Sequence, residues 1–335
     1  MDTVLVTGGT GFIARWCIAE LIEHGFAVRA TVRDLARADA VRAGLAEAVD
    51  PGERLGFVAA DLTTDDGWGA AVAGCRYVIH PASPLGSGTA ESMLAAARGG
   101  AQRVLHAAAA AGVERVVLTS AANTASPASY REDSVSDETV WTDPDAPQVD
   151  GYRRSKTLAE RAAWDLVDEL GDRRLLTTIL PGAVFGPVLG ADQLGSVQVI
   201  GRMLRGEVPR LPRIGLEVVD VRDVAAAHVL ALTTPAAAGE RFLATGQLVT
   251  MADMAAMLRA ELGPAAAKVP TRTVPDFVVR LSARRKPELA GVLPGLGRRN
   301  RHTTAKAQRI LGWQPRPARE AVVACGRSLV AHGVA

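Results

Sequence analysis

The sequence predicts an α/β protein with a doubly wound parallel sheet, and three observations support this prediction. Short apolar runs alternate with longer stretches of helical periodicity, a pattern typical of βαβ units. A glycine-rich segment follows the first apolar run directly and opens the first helical stretch. The length of 335 residues allows a sizeable core and a cleft between two parts of the molecule.

The first half of the chain contains six apolar runs of strand length. The predicted strands are residues 3–7, 26–32, 55–59, 77–80, 116–120 and 175–180. The predicted helices between them lie near residues 12–23, 36–48, 91–111 and 152–170. The alanine-rich part of the third helix is not low-complexity sequence, because Val104, Leu105 and the stop at Gly112 fit a helix.

After Pro181 the alternation becomes less regular. A helix is predicted near residues 193–205, a second at 223–232 and a strand at 241–244. From Met251 onward, prolines interrupt short helical pieces, as expected of a smaller, mostly helical cap over the carboxyl edge of the sheet. We therefore predict a first domain of residues 1–187, with 216–245 returning to it, and a cap formed by 188–215 and 246–335.

Composition excludes little but argues against several partner classes. A net charge of +2 with 22% charged residues demands neither nucleic acid nor an anionic membrane, and the basic stretch 280–301 is interpreted as a solvated face. The chain enters a strand without a signal-peptide pattern, which predicts a cytoplasmic protein. The three cysteines are widely separated and form no metal-binding spacing, so no metal is predicted. The sequence leaves a homodimer open.

The segment TGGTGFIA at residues 7–14 is the first candidate site. Glycines let a backbone approach a pyrophosphate, and the helix N-terminus that follows favours its negative charge. Thr7, Gly8, Gly11, Phe12 and Ile13 are therefore the predicted dinucleotide contacts. The alternative is a purely structural turn. With this site, the first domain would hold the dinucleotide and the cap would hold the substrate.

The end of the second strand indicates which dinucleotide is bound. Val32 occupies the position where an acidic residue would receive the ribose 2′-hydroxyl, and Arg33 follows it. Because a guanidinium can pair with a 2′-phosphate, NADP(H) is favoured over NAD(H). Asp34 keeps the alternative open, since a shift of one residue would make it the ribose ligand. For Arg37, a solvated surface charge is the preferred interpretation.

Tyr152 and Lys156 form the candidate catalytic pair. With three tyrosines and four lysines in the chain, composition predicts only about 0.04 chance occurrences of Tyr-x-x-x-Lys. Residues four apart are neighbours on one helix face, so the ammonium is expected to lower the phenol pKa from about 10. The pair is therefore predicted to act as a general acid and its electrostatic partner. The alternative is an unrelated Tyr and Lys on a helix surface.

These residues resemble the extended short-chain dehydrogenase/reductases, in the branch of dihydroflavonol reductase, cinnamoyl-CoA reductase and yeast-type aldehyde or methylglyoxal reductases. The matching motifs are TGGTGFIA at 7–14, TVRD at 31–34, AADL at 59–62, VIHPASP at 78–84, VVLTS at 116–120, YRRSK at 152–156, LPGAVFGP at 180–187, VDVRDVAAAH at 219–228 and LGWQPR at 311–316. The resemblance implies a Rossmann fold and hydride transfer from a nicotinamide to a carbonyl carbon. It also implies that Tyr152 donates the proton while Lys156 holds the nicotinamide ribose.

The resemblance further implies contacts along the rest of the cofactor. Asp61 and Leu62 would flank the adenine, although Asp61 could equally be a helix N-cap. The remaining implied contacts follow the fourth and sixth strands: Pro81, Ala82 and Ser83, then Leu180, Pro181, Gly182 and Val184.

The sequence departs from the family at the third catalytic position. The second Ser of a Thr-Ser-Ser sequence usually holds the substrate oxygen, and direct alignment puts Ala121 there. Loss of such a donor can cost about 10²–10³ in rate. Ser120 or Thr124 could replace it, Asn123 could reach in from the loop, or Tyr152 could act alone.

The substrate is predicted from the residues expected around the cleft. Most are apolar, which suits a hydrophobic or aromatic ketone or aldehyde: Ser83, Pro84, Leu85, the loop 125–150 with Trp141, Phe185, Val188 and residues 194–203. Arg202 and Arg205 could instead bind an anion. The predicted activity is NADPH-dependent carbonyl reduction. The alternatives are a nucleotide-sugar epimerase or dehydratase, and a dinucleotide-binding regulatory protein with weak turnover because of Ala121.

Overall fold

The computed structural model describes residues 1–82, 90–192, 195–285 and 293–335, and for 90–94 it describes the backbone alone. The strands are β1 Thr3–Val6, β2 Ala27–Val32, β3 Leu55–Ala59, β4 Tyr77–His80, β5 Arg115–Thr119, β6 Val135–Ser136, β7 Leu176–Pro181, β8 Ala183–Phe185, β9 Leu211–Pro212, β10 Gly215–Asp220, β11 Arg241–Ala244, β12 Gln247–Thr250, β13 Thr273–Val274 and β14 Arg301–His302. The helices are α1 Phe12–Glu23, α2 Ala38–Leu45, α3 Trp68–Val72, α4 Ala90–Ala110, α5 Gly151–Glu169, α6 Val197–Leu204, α7 Val221–Thr233, α8 Met251–Leu262, α9 Asp276–Ala283, α10 Ala305–Leu311 and α11 Ala318–Ala331.

Seven parallel strands form the central sheet, in the order β11-β7-β5-β4-β1-β2-β3. The chain builds outward from β1 to β3, then returns to β4 and builds outward on the other side. The strand order therefore reverses between β1 and β4, and a ligand crevice is expected at the carboxyl ends there. The predicted doubly wound fold is confirmed.

Helices cover both faces of this sheet. On one face α1 packs against α7, and on the other α4 packs along α5. The predicted helix at 36–48 begins instead as a 3₁₀ turn, Leu35–Arg37, because the Asp34 carboxylate accepts a hydrogen bond from the Ala36 N–H at 2.9 Å. The strand and helix bounds otherwise differ from the predicted ones by a few residues, as expected where helix and strand ends are set by tertiary contacts.

The later part of the chain adds a three-stranded sheet in the order β12-β10-β8 and the helices α8 to α11. β11 joins the central sheet beside β7, whereas β10 pairs with β8 and β12. The buried Trp313 ties the C-terminal region to α7 by donating to the Asp223 carbonyl oxygen at 2.7 Å. The division at residues 187/188, with 216–245 returning, stays a prediction.

A buried ion pair anchors α5 to the sheet. The Glu160 and Arg241 side chains are 1% and 8% exposed, and Arg241 Nε lies 2.8 Å from Glu160 Oε1. The guanidinium also lies over the Trp141 ring, 3.6 Å from its centroid, and donates to the Glu138 carbonyl oxygen at 2.6 Å. Both charged groups are thus removed from water, and each has hydrogen-bond and ion-pair partners. Such partners are what a buried ion pair needs to be stable.

We predict that Arg241→Met destabilises the protein by about 3–5 kcal/mol, because it leaves the Glu160 carboxylate buried without its partner. The matched control is Arg173→Met. Arg173 also pairs with a carboxylate, Asp168 at 2.6 Å, and also lies over a tryptophan ring, but both charged side chains are about half exposed. Its loss should cost about 0–1 kcal/mol. Urea denaturation measures both values, and equal losses would contradict the account.

Candidate dinucleotide and catalytic site

The glycine loop between β1 and α1 is shaped for close approach of a ligand. Gly8 has φ +65°, and a Cβ there would lie 2.9 Å from the Ala82 Cβ. The Gly8 N–H is held by Thr31 Oγ1 at 2.8 Å. α1 has Gly11 as its N-cap and no side-chain cap, so the N–H groups of its first turn can face an anion.

The ends of β1 and β4 are joined beside this loop. Thr7 Oγ1 lies 2.7 Å from His80 Nδ1 and accepts a weaker hydrogen bond from the Ala82 N–H at 3.4 Å. Burial, and then the nearby Lys156 charge, lower the pKa of His80 to about 3, so this imidazole is neutral. The structure thus brings Thr7, Gly8 and Ala82 together, with Pro81 beside Ala82. Ser83 lies outside the described residues.

The other loop contacts from the sequence flank the same turn. Gly11 is exposed at the helix start, Phe12 is buried against the core, and Ile13 is half-buried. Phe12 therefore presents its backbone, not its ring, to the loop.

The tip of β2 carries the residues predicted to select the dinucleotide. Arg33 is exposed and makes no hydrogen bond or ion pair with the described part of the chain. One carboxylate oxygen of Asp34 accepts a hydrogen bond from the Ala36 N–H. Arg37 is not merely solvated, because its guanidinium binds Asp192 at 2.5 Å, and Asp192 also pairs with the buried Arg15 at 2.9 Å.

Asp61 and Leu62 follow β3 at the same edge. Asp61 Oδ1 accepts hydrogen bonds from the Thr63 N–H at 2.8 Å and from the Thr63 hydroxyl at 2.7 Å. These bonds, backbone first, and the Arg33 charge hold the pKa of Asp61 below its ordinary value. Asp61 caps a turn and not a helix, since α3 begins only at Trp68. A Cβ at Gly100 of α4 would lie 3.0 Å from the Leu62 Cβ, so Leu62 packs closely on that helix.

The predicted nicotinamide-end residues lie where β7 turns into β8. Leu180, Pro181 and Val184 are buried, and Gly182 is half-buried. A Cβ at Gly182 would collide with the Glu217 carbonyl oxygen, so only glycine fits between β8 and β10. This close packing shapes the backbone at the carboxyl edge.

Tyr152 and Lys156 lie on the first turns of α5, and the Asp150 carboxylate caps this helix by accepting from the Arg153 N–H at 2.9 Å. A small cavity of about 30 Å³ adjoins Lys156 at the carboxyl ends of β4 and β5. Its other lining residues include His80, Ala82, Thr119 and Ser120. Lys156 therefore lies at the same edge as the glycine loop.

The electrostatics of this pair differ from the sequence prediction. Burial lowers the pKa of Lys156 to about 8, against the opposing effect of Glu160. The pKa of Tyr152 is raised, first by burial and then by Asp150 and Tyr130, so the predicted lowering by Lys156 is not seen. Tyr152 is also 55% exposed. The Tyr152 side chain is therefore open to solvent, although neighbouring protein surrounds enough of it to raise the phenol pKa.

Both hydroxyls proposed to replace the missing serine face Glu160. Ser120 Oγ and Thr124 Oγ1 each donate to Glu160 Oε2 at 2.5 Å. Both side chains are buried, and the Ala121 between them is 6% exposed. Glu160 was not among the sequence candidates. Its signal was an acidic residue on the buried stripe of α5 that also carries Arg153, Thr157 and Trp164.

Several predicted substrate-pocket residues lie elsewhere. Phe185, Val188 and Met203 are core residues at 0%, 2% and 0% exposure. Trp141 stacks on Arg241, so these apolar side chains serve packing and do not line an open cleft. Arg202 and Arg205 pair with Glu207. Pro84, Leu85 and Leu194 lie outside the described residues.

The described residues contain neither a metal-binding cluster nor a membrane-spanning helix. Within the described ranges, no group of three or more His, Cys, Asp or Glu side chains is placed to hold a metal ion. No helix in this part of the chain is both long enough and apolar enough to cross a bilayer.

The strand order, the glycine loop before α1 and the site at the carboxyl edge define a dinucleotide-binding protein of the doubly wound class. Comparison with known proteins identifies the family. A family model, the NAD dependent epimerase/dehydratase family, matches residues 4–244. The chain belongs to this family, and within it to the extended short-chain dehydrogenase/reductases. It is an NAD(P)-dependent oxidoreductase that acts on carbonyl or alcohol groups.

Curated relatives and solved structures agree with this assignment. Cinnamoyl-CoA reductase 1 of Oryza sativa subsp. japonica is 38% identical over 265 residues, covering 78% of this chain and 76% of the relative. Dihydroflavonol 4-reductase of Zea mays is 34% identical over 267 residues, covering 77% and 73%. The crystal structure of a yeast methylglyoxal/isovaleraldehyde reductase complexed with NADPH superposes with a TM-score of 0.81 at 23% identity, covering 99% and 100%.

We predict that Gly8→Ala weakens dinucleotide binding at least about tenfold, because the new methyl would meet Ala82 in a backbone conformation that disfavours L residues. Gly25→Ala is the matched control. Gly25 also has a positive φ, +82°, but nothing lies within 4 Å of a Cβ there. The Gly25→Ala variant should lose some folding stability and keep its affinity for NADPH. Fluorescence titration with NADPH measures both, and an unchanged affinity in Gly8→Ala would contradict the assignment of the loop.

Proposed function

We propose that the protein is an NADPH-dependent carbonyl reductase that converts a ketone or aldehyde to an alcohol. The observation that supports this most directly is the placement of Tyr152 and Lys156. They lie on the first turns of α5, and Lys156 adjoins the carboxyl ends of β4 and β5 where the glycine loop also lies. A proton donor and an ammonium group beside a dinucleotide loop are the groups that carbonyl reduction requires.

The residues present fit NADPH. The Gly8 loop and the first turn of α1 would hold the pyrophosphate, and the exposed guanidinium of Arg33 would hold the 2′-phosphate. Lys156 would hold the nicotinamide ribose hydroxyls. When bound, the dihydronicotinamide supplies the hydride. Asp34, already engaged with Ala36, is the weaker candidate for a ribose contact.

Tyr152 is the proposed proton donor. Its raised pKa keeps the phenol protonated at neutral pH, so the proton is in place before the carbonyl oxygen gains negative charge. Its exposure gives the phenolate a route to recover a proton from water afterwards. Lys156 would assist by holding the nicotinamide ribose hydroxyls, and with a pKa of about 8 it is mostly charged at neutral pH.

The proposed substrate is a small apolar or aromatic carbonyl compound. Support comes from two relatives, cinnamoyl-CoA reductase and dihydroflavonol 4-reductase, whose names denote substrates that carry aromatic groups. The residues of the proposed cap, 188–215 and 246–335, would close over this substrate.

The proposal is tested by NADPH oxidation against a panel of aromatic aldehydes, 2-oxo esters and diketones. We expect turnover with at least one carbonyl and a loss of at least about 10²-fold in kcat for Tyr152→Phe, since the phenyl ring has no proton to donate. NADPH affinity should be unchanged in that variant, which fluorescence titration checks.

Two outcomes would contradict the proposal. If NADPH binds and no carbonyl is reduced, a regulatory dinucleotide-binding role gains support. If the purified protein carries tightly bound NAD and converts nucleotide sugars, it is an epimerase or dehydratase.

Cofactor preference has its own test. Arg33→Ala should weaken NADPH binding about 10–100-fold and leave NADH binding unchanged, because it removes a charge-assisted pair with the 2′-phosphate worth about 1.5–3 kcal/mol. Arg37→Ala is the control, since Asp192 already engages that guanidinium. A larger loss of NADPH affinity in Arg37→Ala would transfer the role to Arg37.

A further inference from the structure

An aromatic side chain, Tyr130, connects the helix of the catalytic pair to the C-terminal region. Its ring lies between two guanidinium groups, with the Arg153 Cζ 4.3 Å and the Arg298 Cζ 4.4 Å from the centroid. Arg153 directly follows Tyr152 in α5, and Arg298 forms an ion pair with the buried Glu217. Tyr130 is 5% exposed and is held in one position between these charges.

The hydroxyl of Tyr130 donates to Asn123 Oδ1 at 2.9 Å. This bond sets which end of the amide faces Tyr130 and turns the Nδ2 group away from it. Nδ2 has no hydrogen-bond partner among the described residues, and it is not one of their buried unpaired polar atoms, so solvent reaches it. Asn123 therefore holds an oriented and accessible N–H donor.

Asn123 lies two residues after Ala121, in the 3₁₀ turn Ala122–Ala125 that packs on α5. The hydroxyl groups on either side of it are committed elsewhere, because Ser120 and Thr124 both donate to Glu160. If either hydroxyl turned to the substrate, the buried Glu160 carboxylate would lose a hydrogen-bond donor, which is unfavourable for a buried charge. Asn123 needs no such rearrangement.

We propose that the Asn123 amide Nδ2 group donates the hydrogen bond to the substrate carbonyl oxygen that a hydroxyl at position 121 would otherwise supply. The inference rests on the proposed carbonyl reduction and names a further catalytic residue for it. As hydride adds to the carbonyl carbon, the C=O π bond breaks and its electron pair moves to oxygen. Asn123 stabilises that charge by hydrogen bonding and transfers no proton, while the Tyr152 O–H bond breaks to give the alcohol. Tyr130 is a positioning residue that orients the amide.

The test compares two variants of Asn123. Asn123→Asp has nearly the same shape and still accepts the Tyr130 hydrogen bond, but its carboxylate cannot donate and repels the developing charge. Asn123→Ala removes both ends of the amide. We expect kcat to fall about 10²–10³-fold in each, with NADPH affinity unchanged. A purely structural role predicts near-normal activity for Asn123→Asp, and that result would overturn the inference.

A rescue experiment and a double mutant separate this role from general damage. Adding Ala121→Ser to the Asn123→Ala variant should raise kcat at least about tenfold over Asn123→Ala alone, because it returns a hydroxyl to the family position. Tyr130→Phe alone should lower kcat about 3–10-fold, as expected for a hydrogen bond worth about 1 kcal/mol, and should add nothing to Asn123→Ala. Absence of rescue, or additive losses, would contradict the inference.

The activities of the unmodified protein and of the Asn123 variants test the two proposals separately. If the unmodified protein reduces no carbonyl, the proposed function fails. If it is active and Asn123→Asp is equally active with an unchanged melting temperature, only the role of Asn123 fails. Loss of NADPH binding in both Asn123 variants would place the residue at the cofactor and also overturn the inference.

Discussion

The buried carboxylate of Glu160 is the interaction on which the site depends. It accepts hydrogen bonds from Ser120 after β5, Thr124 in the following turn and Thr178 on β7, and it pairs with Arg241 on β11. One side chain of α5 thus joins this helix to three neighbouring strands of the sheet. Because burial of an unpaired carboxylate costs several kcal/mol, these contacts together keep Glu160 in its buried position. They fix the rotation of α5 about its axis.

That rotation determines what the helix presents to the cleft. With Arg153, Thr157 and Glu160 turned inward, the Tyr152 ring is left at the surface of the cleft. Lys156 lies one turn before Glu160 and is close enough for the carboxylate to oppose the lowering of its pKa by burial. The same carboxylate occupies the two hydroxyls nearest to Ala121. The Glu160 contacts that orient Tyr152 therefore leave the substrate oxygen without a hydroxyl donor from Ser120 or Thr124. We propose the amide of Asn123 as the donor in their place.

The parts of the molecule that the sequence predicted are those set by local rules. The strands and helices follow from periodicity, the Gly8 loop from its position between a strand and a helix, and the Tyr152–Lys156 pair from the spacing of one helical turn. Arg241 meets Glu160 across 81 positions in the chain, and Tyr130 meets Arg298 from a distant segment. Such pairs depend on tertiary packing, which no local pattern specifies. Phe185 and Val188 were wrongly predicted as substrate walls for the same reason, since both face the core. The predicted direction of the Tyr152 pKa was also wrong, because burial, followed by the effects of Asp150 and Tyr130, raises it.

The most direct test of this account is a crystal structure of the protein with NADP⁺ and a ketone substrate, a pair that cannot react. We expect the ketone oxygen to lie within about 3.2 Å of both the Tyr152 hydroxyl and Asn123 Nδ2, with Ser120 and Thr124 still bound to Glu160. A ketone oxygen bound by Ser120 or Thr124 turned away from Glu160, with Tyr152 out of hydrogen-bonding reach, would contradict it.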